Sequence, residues 1–251
     1  DQLTKINYCS LPCTSPITLI SGAINIVDLD FNNNWLVYSD RLPGGFVALV
    51  ILYNRNNGNS NQIYTTGFSN SQLEIDSNDI ITFKNQPSGF SFASDIFVYY
   101  IPTSTLTQLT NTPSIIETVP HLAYMAPSSS SLIFSEDETN LVPYVIINGN
   151  IQPSYPQLPY FSQNFINFAD LQYIPNQNVL QILYNIVTQP PEPPELYLHK
   201  NSLGTNQITL FMIPTSQFIY AEVTSVDGNN VVFISLQSGT TTPQTAVSQC
   251  I

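Results

Sequence analysis

The segment Ile24-Asn-Ile-Val-Asp-Leu-Asp-Phe31, followed by Asn32-Asn-Asn34 and then Trp35-Leu-Val-Tyr38, reads as two β-strands joined by a polar turn. Apolar residues alternate with carboxylates before the turn, and β-branched and aromatic residues follow it, as a half-buried hairpin requires. The same construction recurs. Gln72-Leu-Glu-Ile-Asp76 turns at Ser77-Asn78 into Ile80-Ile-Thr-Phe83, and His121-Leu-Ala-Tyr-Met-Ala126 turns over Pro127 to Ser131 into Leu132-Ile-Phe134. Asp170-Leu-Gln-Tyr-Ile174 turns over Pro175 to Asn178 into Val179–Tyr184, and Phe218-Ile-Tyr-Ala-Glu-Val223 turns at Asp227-Gly-Asn229 into Val231-Val-Phe-Ile234.

The five turn centres fall near residues 33, 78, 129, 176 and 228, spaced by about 45, 51, 47 and 52 residues. One propeller blade occupies roughly 40–50 residues. After each of the first four hairpins comes a second pair of candidate strands: Phe46–Tyr53 with Gln62–Thr66, Ile96–Ile101 with Leu106–Thr110, Val142–Ile147 with a weak segment at Ile151, and Leu196–His199 with Gln207–Phe211. Four strands per repeat is the blade pattern. No stretch carries a 3.6-residue apolar period, so helices should be scarce. The expectation is an all-β chain, one five-bladed β-propeller over residues 1–251 with hairpins near 24–38, 72–83, 121–134, 170–184 and 218–234.

The fifth hairpin reads as lacking outer strands, and Lys5–Cys9 with Pro16–Ile20 has the form of the missing pair. The N-terminus is therefore expected to complete the last blade and close the ring, which removes exposed sheet edges. Cys9, Cys13 and Cys250 stand at the two ends of the chain, so a bridge from Cys250 to Cys9 or Cys13 would staple that closure; the spacing leaves the partner open.

Two stretches carry a family resemblance. Asp95-Ile-Phe-Val-Tyr-Tyr100 through Gln108-Leu-Thr110, and Pro120-His-Leu-Ala-Tyr-Met-Ala-Pro-Ser-Ser-Ser-Ser-Leu-Ile-Phe-Ser135, resemble the TolB-type, WD40-like propeller repeat of strand, Leu-Thr, Pro, turn and strand. Asp170–Tyr184 is similar, with Ile-Pro-Asn-Gln leading its turn. The Asp-Gly usual in that turn is replaced by serines in one repeat and by Asn and Gln in the other. The resemblance implies a propeller fold and leaves function open, since propellers host many activities.

Composition narrows function. Five Lys+Arg stand against 17 Asp+Glu, a net charge of -12, and no basic stripe exists to neutralise phosphates, so nucleic acid is excluded as a partner. The longest apolar run, Phe46–Tyr53, suits a buried strand and is too short for a membrane-spanning helix. Charged residues make up 9% of the chain, so its surface changes charge little in acid. This skewed polar composition resembles that of crenarchaeal surface and virion proteins. A start at Asp1 reads as a processed mature end, and no Asn begins an Asn-x-Ser/Thr acceptor. Together these point to an extracellular location on an acidophilic archaeal cell or virus.

The chemistry-bearing residues are few. The first strands of the repeats carry Asp28, Asp30, Glu74, Asp76, His121, Asp170 and Glu222. One reading makes Asp28, Asp170 and Glu222 the acid and nucleophile or base of a five-bladed glycosidase. The other makes them rim carboxylates that cap backbone amides. One Trp and two Arg are a thin set for gripping sugars, and neither a Gly-x-Ser-x-Gly elbow nor metal-ligand spacing occurs, so the second is preferred and no cofactor or metal is expected. The Pro-rich insertions Pro153–Phe165 and Thr188–Glu195 place Tyr155, Tyr160, Phe161, Pro190 and Pro191 as candidate binding residues. The expected role is a non-enzymatic surface or virion (appendage) module within a larger assembly. It would contact neighbouring proteins, a host receptor or a glycan; a glycosidase or a lectin-like propeller is the alternative.

Overall fold

The computed structural model of the chain describes residues 4–9, 15–44, 47–67, 72–87, 93–136, 140–153, 165–187, 195–202, 207–213, 218–227, 230–237 and 244–249. They form two compact units, Asp1–Pro120 and His121–Ile251. The only helix among them is one 3-10 turn, Ile101–Thr103.

The first unit holds β1 (Lys5–Tyr8) and β2 (Ile17–Ser21), paired as a two-stranded sheet. A four-stranded meander follows: β3 (Ile26–Phe31), β4 (Trp35–Arg41), β5 (Ala48–Asn54) and β6 (Ser60–Thr66). A second consists of β7 (Glu74–Ile75), β8 (Ile80–Asn85), β9 (Asp95–Tyr100) and β10 (Thr105–Gln108). The unit boundary falls inside β11 (Glu117–Ala126), which opens a third meander with β12 (Ser129–Glu136), β13 (Asn140–Ile147) and β14 (Asn150–Pro153). A fourth contains β15 (Phe165–Ile174), β16 (Val179–Val187), β17 (Glu195–Ser202) and β18 (Gln207–Ile213). The last has three strands, β19 (Phe218–Asp227), β20 (Asn230–Gln237) and β21 (Gln244–Gln249).

The chain is all-β, then, and all five expected hairpins are present. Differences lie in their detail. Ser129, Ser130 and Ser131, expected in a turn, begin β12, because Pro127 and Ser128 turn the chain alone, Ser128 at φ 65°. The weak Ile151 segment is a true strand: Asn148 (φ 51°) and Gly149 (φ 77°) both occupy the left-handed region, which makes the two-residue turn that matches strand twist. The fifth hairpin supplies its own third strand, β21, to which composition and spacing do not point.

Burial explains why the central strands read as continuous apolar runs. Residues 36–40 of β4 and all of β8 are buried, whereas β10 on the edge is exposed throughout. The pleat sends alternate side chains of β4 to opposite faces. Val37 joins Val50, Leu52, Leu73, Ile75, Ile81, Phe83 and Phe97 in the core between the two four-stranded sheets, while Leu36 and Tyr38 join Ile6 and Ile26 beneath the β1–β2 pair. The first four-stranded sheet is therefore covered on both faces. An aromatic trio fixes one core, with Phe83 stacked on Phe97 at 5.5 Å and Tyr64 tilted against both at 5.2 and 4.9 Å. In the second unit Leu132, Ile133, Phe134, Ile146 and Ile182 are fully buried, and Phe134 stacks on Tyr144 at 5.9 Å.

First strands of successive sheets lie side by side, β3 with β7 in one unit and β15 with β19 in the other. That juxtaposition places the first-strand carboxylates.

Candidate functional site

On β3 the register against β4 shifts by one residue between Ile26 and Asp28, leaving Val27 as a bulge. A bulge re-aims the side chains that follow it. Asp28 and Asp30 thereafter share one face, turned to the neighbouring sheet. Each carboxylate divides its two oxygens in the same way. Asp28 Oδ1 accepts the Leu29 N–H at 2.9 Å and Oδ2 accepts the Leu73 N–H at 2.6 Å. Asp30 Oδ1 accepts the Phe31 N–H at 2.8 Å and Oδ2 the Ile75 N–H at 2.8 Å. Leu73 and Ile75 are two residues apart, as are Asp28 and Asp30, so two side chains do the work of backbone carbonyls in a ladder between sheets.

Burial pushes both carboxyls up from their ordinary value of 3.8. For Asp28 the N–H groups of Leu73 and Leu29 oppose that rise and the charge of Glu74 adds to it. For Asp30 burial again dominates over the Ile75 and Phe31 N–H groups, with Glu74 and Asp28 adding repulsion, and the carboxyl reaches about 6.

The neighbouring turns are tied together by one carboxamide. Asn32 Oδ1 accepts the N–H groups of Asn34 and Trp35 at 3.0 and 2.9 Å, closing its own turn. Its Nδ2 donates to the Asp76 carbonyl at 2.8 Å and to Asp79 Oδ1 at 2.9 Å. Asp76 is buried and its Oδ1 accepts the N–H groups of Asn78 and Ile80 at 2.9 and 3.2 Å.

At the end of the first unit Glu117 is fully buried, and its carboxylate accepts the hydroxyls of Thr110 and Thr112. Ser94 Oγ donates to the Glu117 carbonyl at 2.6 Å, joining β11 to the start of β9. Sequence reasoning misses this acid, because nothing local marks Glu117 as interior.

A small cavity of about 70 Å³ lies among Ile6, Tyr8, Leu19, Leu29, Phe31 and Arg55. The Arg55 guanidinium sits 4.5 Å from the Tyr8 ring centroid and 5.5 Å from that of Phe31. Its Nη1 donates to the Asn32 carbonyl at 2.5 Å. This cluster, too, has no signature in the sequence, since Tyr8, Phe31 and Arg55 meet only through tertiary structure.

Of the other predicted residues, His121 lies on β11 and is half-buried. Asp170 lies on β15 opposite Leu183, directly after a bulge at Ala169, the position that Asp28 holds on β3; Glu222 lies on β19 opposite Ile234. Cys9 is disulfide-bonded, and both possible partners, Cys13 and Cys250, lie outside the described residues. So do Tyr155, Tyr160, Phe161, Pro190 and Pro191. Among the described residues no three His, Cys, Asp or Glu side chains converge as metal ligands, and no helix is long and apolar enough to cross a membrane.

No family model matches the chain, and no curated protein matches its sequence. Solved structures do. TolB from Acinetobacter baumannii matches over 98% of this chain at a TM-score of 0.50 and 11% identity. The β-propeller domain of the Trilobed protease from Pyrococcus furiosus, described as having an open velcro topology, matches over 98% at 0.61 and 8% identity. Oligogalacturonate lyase from Vibrio parahaemolyticus matches over 98% at 0.60 and 9% identity. This chain spans 60% of the length of that TolB and 72% of each of the other two. At such identities the likeness concerns fold alone. TolB-like and other β-propeller proteins are what this chain is similar to, and the propeller reading of its repeated antiparallel sheets is supported.

Proposed function

We propose that the chain is a non-enzymatic, extracellular β-propeller module, a component of a cell surface or virion that contacts neighbouring proteins or a host surface. The observation that carries the non-enzymatic part is the engagement of Asp28 and Asp30, two of the first-strand carboxylates. Asp28 and Asp30 each accept a backbone N–H on both oxygens, two of them from the neighbouring sheet, which supports a structural role for this pair. A general acid or nucleophile must reach the reacting atom at hydrogen-bond distance. Exposed apolar side chains at Ile17 (63%), Phe31 (54%) and Leu29 (43%) support a role in contact with other molecules. Low charge and the lack of N-glycan acceptors support the extracellular, acid-exposed setting.

In the same proposal five blades close one ring, with the N-terminal strands beside the last. The packing of β1–β2 on the face of the first four-stranded sheet opposite its successor supports this, because that is where a preceding blade would stand.

The decisive experiment is a turnover screen on neutral and acidic polysaccharides, run beside a glycan array and sedimentation of the purified protein. Self-assembly or partner binding without turnover is expected. Turnover abolished by Asp170→Asn in a folded variant would replace this reading with a glycan-active enzyme, and selective array binding without assembly would replace it with a lectin-like propeller.

A further inference from the structure

We propose that the cavity between the β1–β2 pair and the first four-stranded sheet is a binding site for a short branched aliphatic carboxylate, whose acid group pairs with Arg55 and whose hydrocarbon end fills the cavity. The apolar walls come from four strands: Ile6 on β1, Leu19 on β2, Leu29 and Phe31 on β3, and Leu36 on β4, around about 70 Å³. Leu29 and Phe31 are 43% and 54% exposed, so the cavity opens to solvent along β3. Among the described residues that line it, Arg55 is the one that carries a charge.

Arg55 is held in place with part of its fork unused. Its Nη1 donates to the Asn32 and Asn33 carbonyls at 2.5 and 3.3 Å, and the rings of Tyr8 and Phe31 flank the guanidinium. Among the described residues no acceptor meets Nε or Nη2, and no carboxylate pairs with the charge. That Nε–Nη2 edge is one of the two by which a guanidinium takes a carboxylate through two parallel hydrogen bonds. A side chain already fixed by protein contacts loses little freedom when a ligand arrives.

Walls and charge select the ligand together. A single guanidinium in a chain of net charge -12 suits one carboxylate and disfavours a polyanion, which the rest of the molecule repels. A cavity of roughly 150 Å³ takes benzene, so about half that volume suits an isopropyl group. A carboxylate joined through a single carbon to an isopropyl group meets both conditions. A free short-chain acid has this structure, and so does a polypeptide that ends in valine. Besides Arg55 only Asn7 and the Tyr8 hydroxyl offer polar side-chain atoms in the described lining, too few to hold a peptide backbone. The free acid is therefore the expected ligand.

Calorimetric titration of the intact chain at pH 7, with sodium 3-methylbutanoate as the probe, tests the site. Saturable binding is expected, with a Kd of about 1 mM or tighter. The neutral isostere 3-methylbutanamide should bind at least about tenfold more weakly, because charge-assisted hydrogen bonds are the stronger kind. Arg55→Gln should show the same loss for the acid. Three results overturn the proposal: no saturable binding to the wild type, an amide that binds as tightly as the acid, or an unchanged affinity in Arg55→Gln. Arg55 also steadies the Asn32 turn; should the variant fail to fold, the comparison of acid and amide on the wild type decides alone. N-acetylvaline that binds more tightly than 3-methylbutanoate overturns the choice of a free acid in favour of a polypeptide end. Neither assembly nor turnover enters these readouts, so the outcome is independent of the proposed function.

Discussion

Asn32 shows how much one side chain can organise here. Its carbonyl closes the turn that ends β3, and its amide reaches the turn of the adjacent sheet, giving four hydrogen bonds from a single residue. A net hydrogen bond stabilises by about 0.5–1.5 kcal/mol, and a buried group left unpaired costs about 1–3 kcal/mol. Asn32→Ala is therefore expected to destabilise the fold by about 2 kcal/mol, read as a lower denaturant midpoint at unchanged slope. Asn32→Asp keeps the turn-closing oxygen but places a charge against the Asp76 carbonyl and Asp79, so it should be no better than alanine at the inter-sheet contact. The Asn-rich turn itself is legible in the sequence. Its second role is not, because the acceptors lie more than forty residues away and nothing local marks them.

Burial follows a strand's place in its sheet: β8 is central and β10 lies on an edge. Ile80–Asn85 reads as unbroken burial, Thr105–Gln108 as unbroken exposure. Differences between expected and observed strands cluster at turns, where a residue or two changes the strand limits without changing the hydrophobic pattern. β14 is the clearest instance: Ile151 alone promises little, yet Asn148-Gly149 is the strongest short hairpin signal a sequence can carry. Both residues take positive φ, and a side chain at Gly149 would be strained by about 1–2 kcal/mol. Gly149→Val is expected to lower stability by that amount, while Asn148→Gly should be close to neutral; denaturant midpoints of the two variants check this. Bulges leave no trace in the sequence, since a bulged residue such as Val27 or Ala169 is ordinary in type and only the register against its partner strand reveals it.

At the largest scale described, neighbouring sheets of the first unit pack through apolar faces, and Cys9 adds a disulfide. A native disulfide in a small secreted domain contributes about 2–5 kcal/mol. Reduction is expected to lower the thermal midpoint, and Cys9→Ser should show the same loss without added reductant. Peptide mapping of the unreduced protein will give either Cys9–Cys13 or Cys9–Cys250. The second supports closure by the N-terminal strands, and the first removes the staple from that proposal.

The amino-acid sequence by itself determined the class of fold: apolar alternation, turn residues and a repeat of about fifty residues are local properties, and they specify strands and hairpins wherever they occur. Its charge balance, five Lys+Arg against 17 Asp+Glu, is likewise a property of the sequence alone. Only tertiary structure decided what the carboxylates do. Whether Asp28 faces a substrate or a neighbouring strand depends on a one-residue bulge and on which amides stand opposite, forty-five residues further along the chain. Burial then raised its proton affinity, and burial is a property of the packed molecule that no stretch of sequence carries on its own.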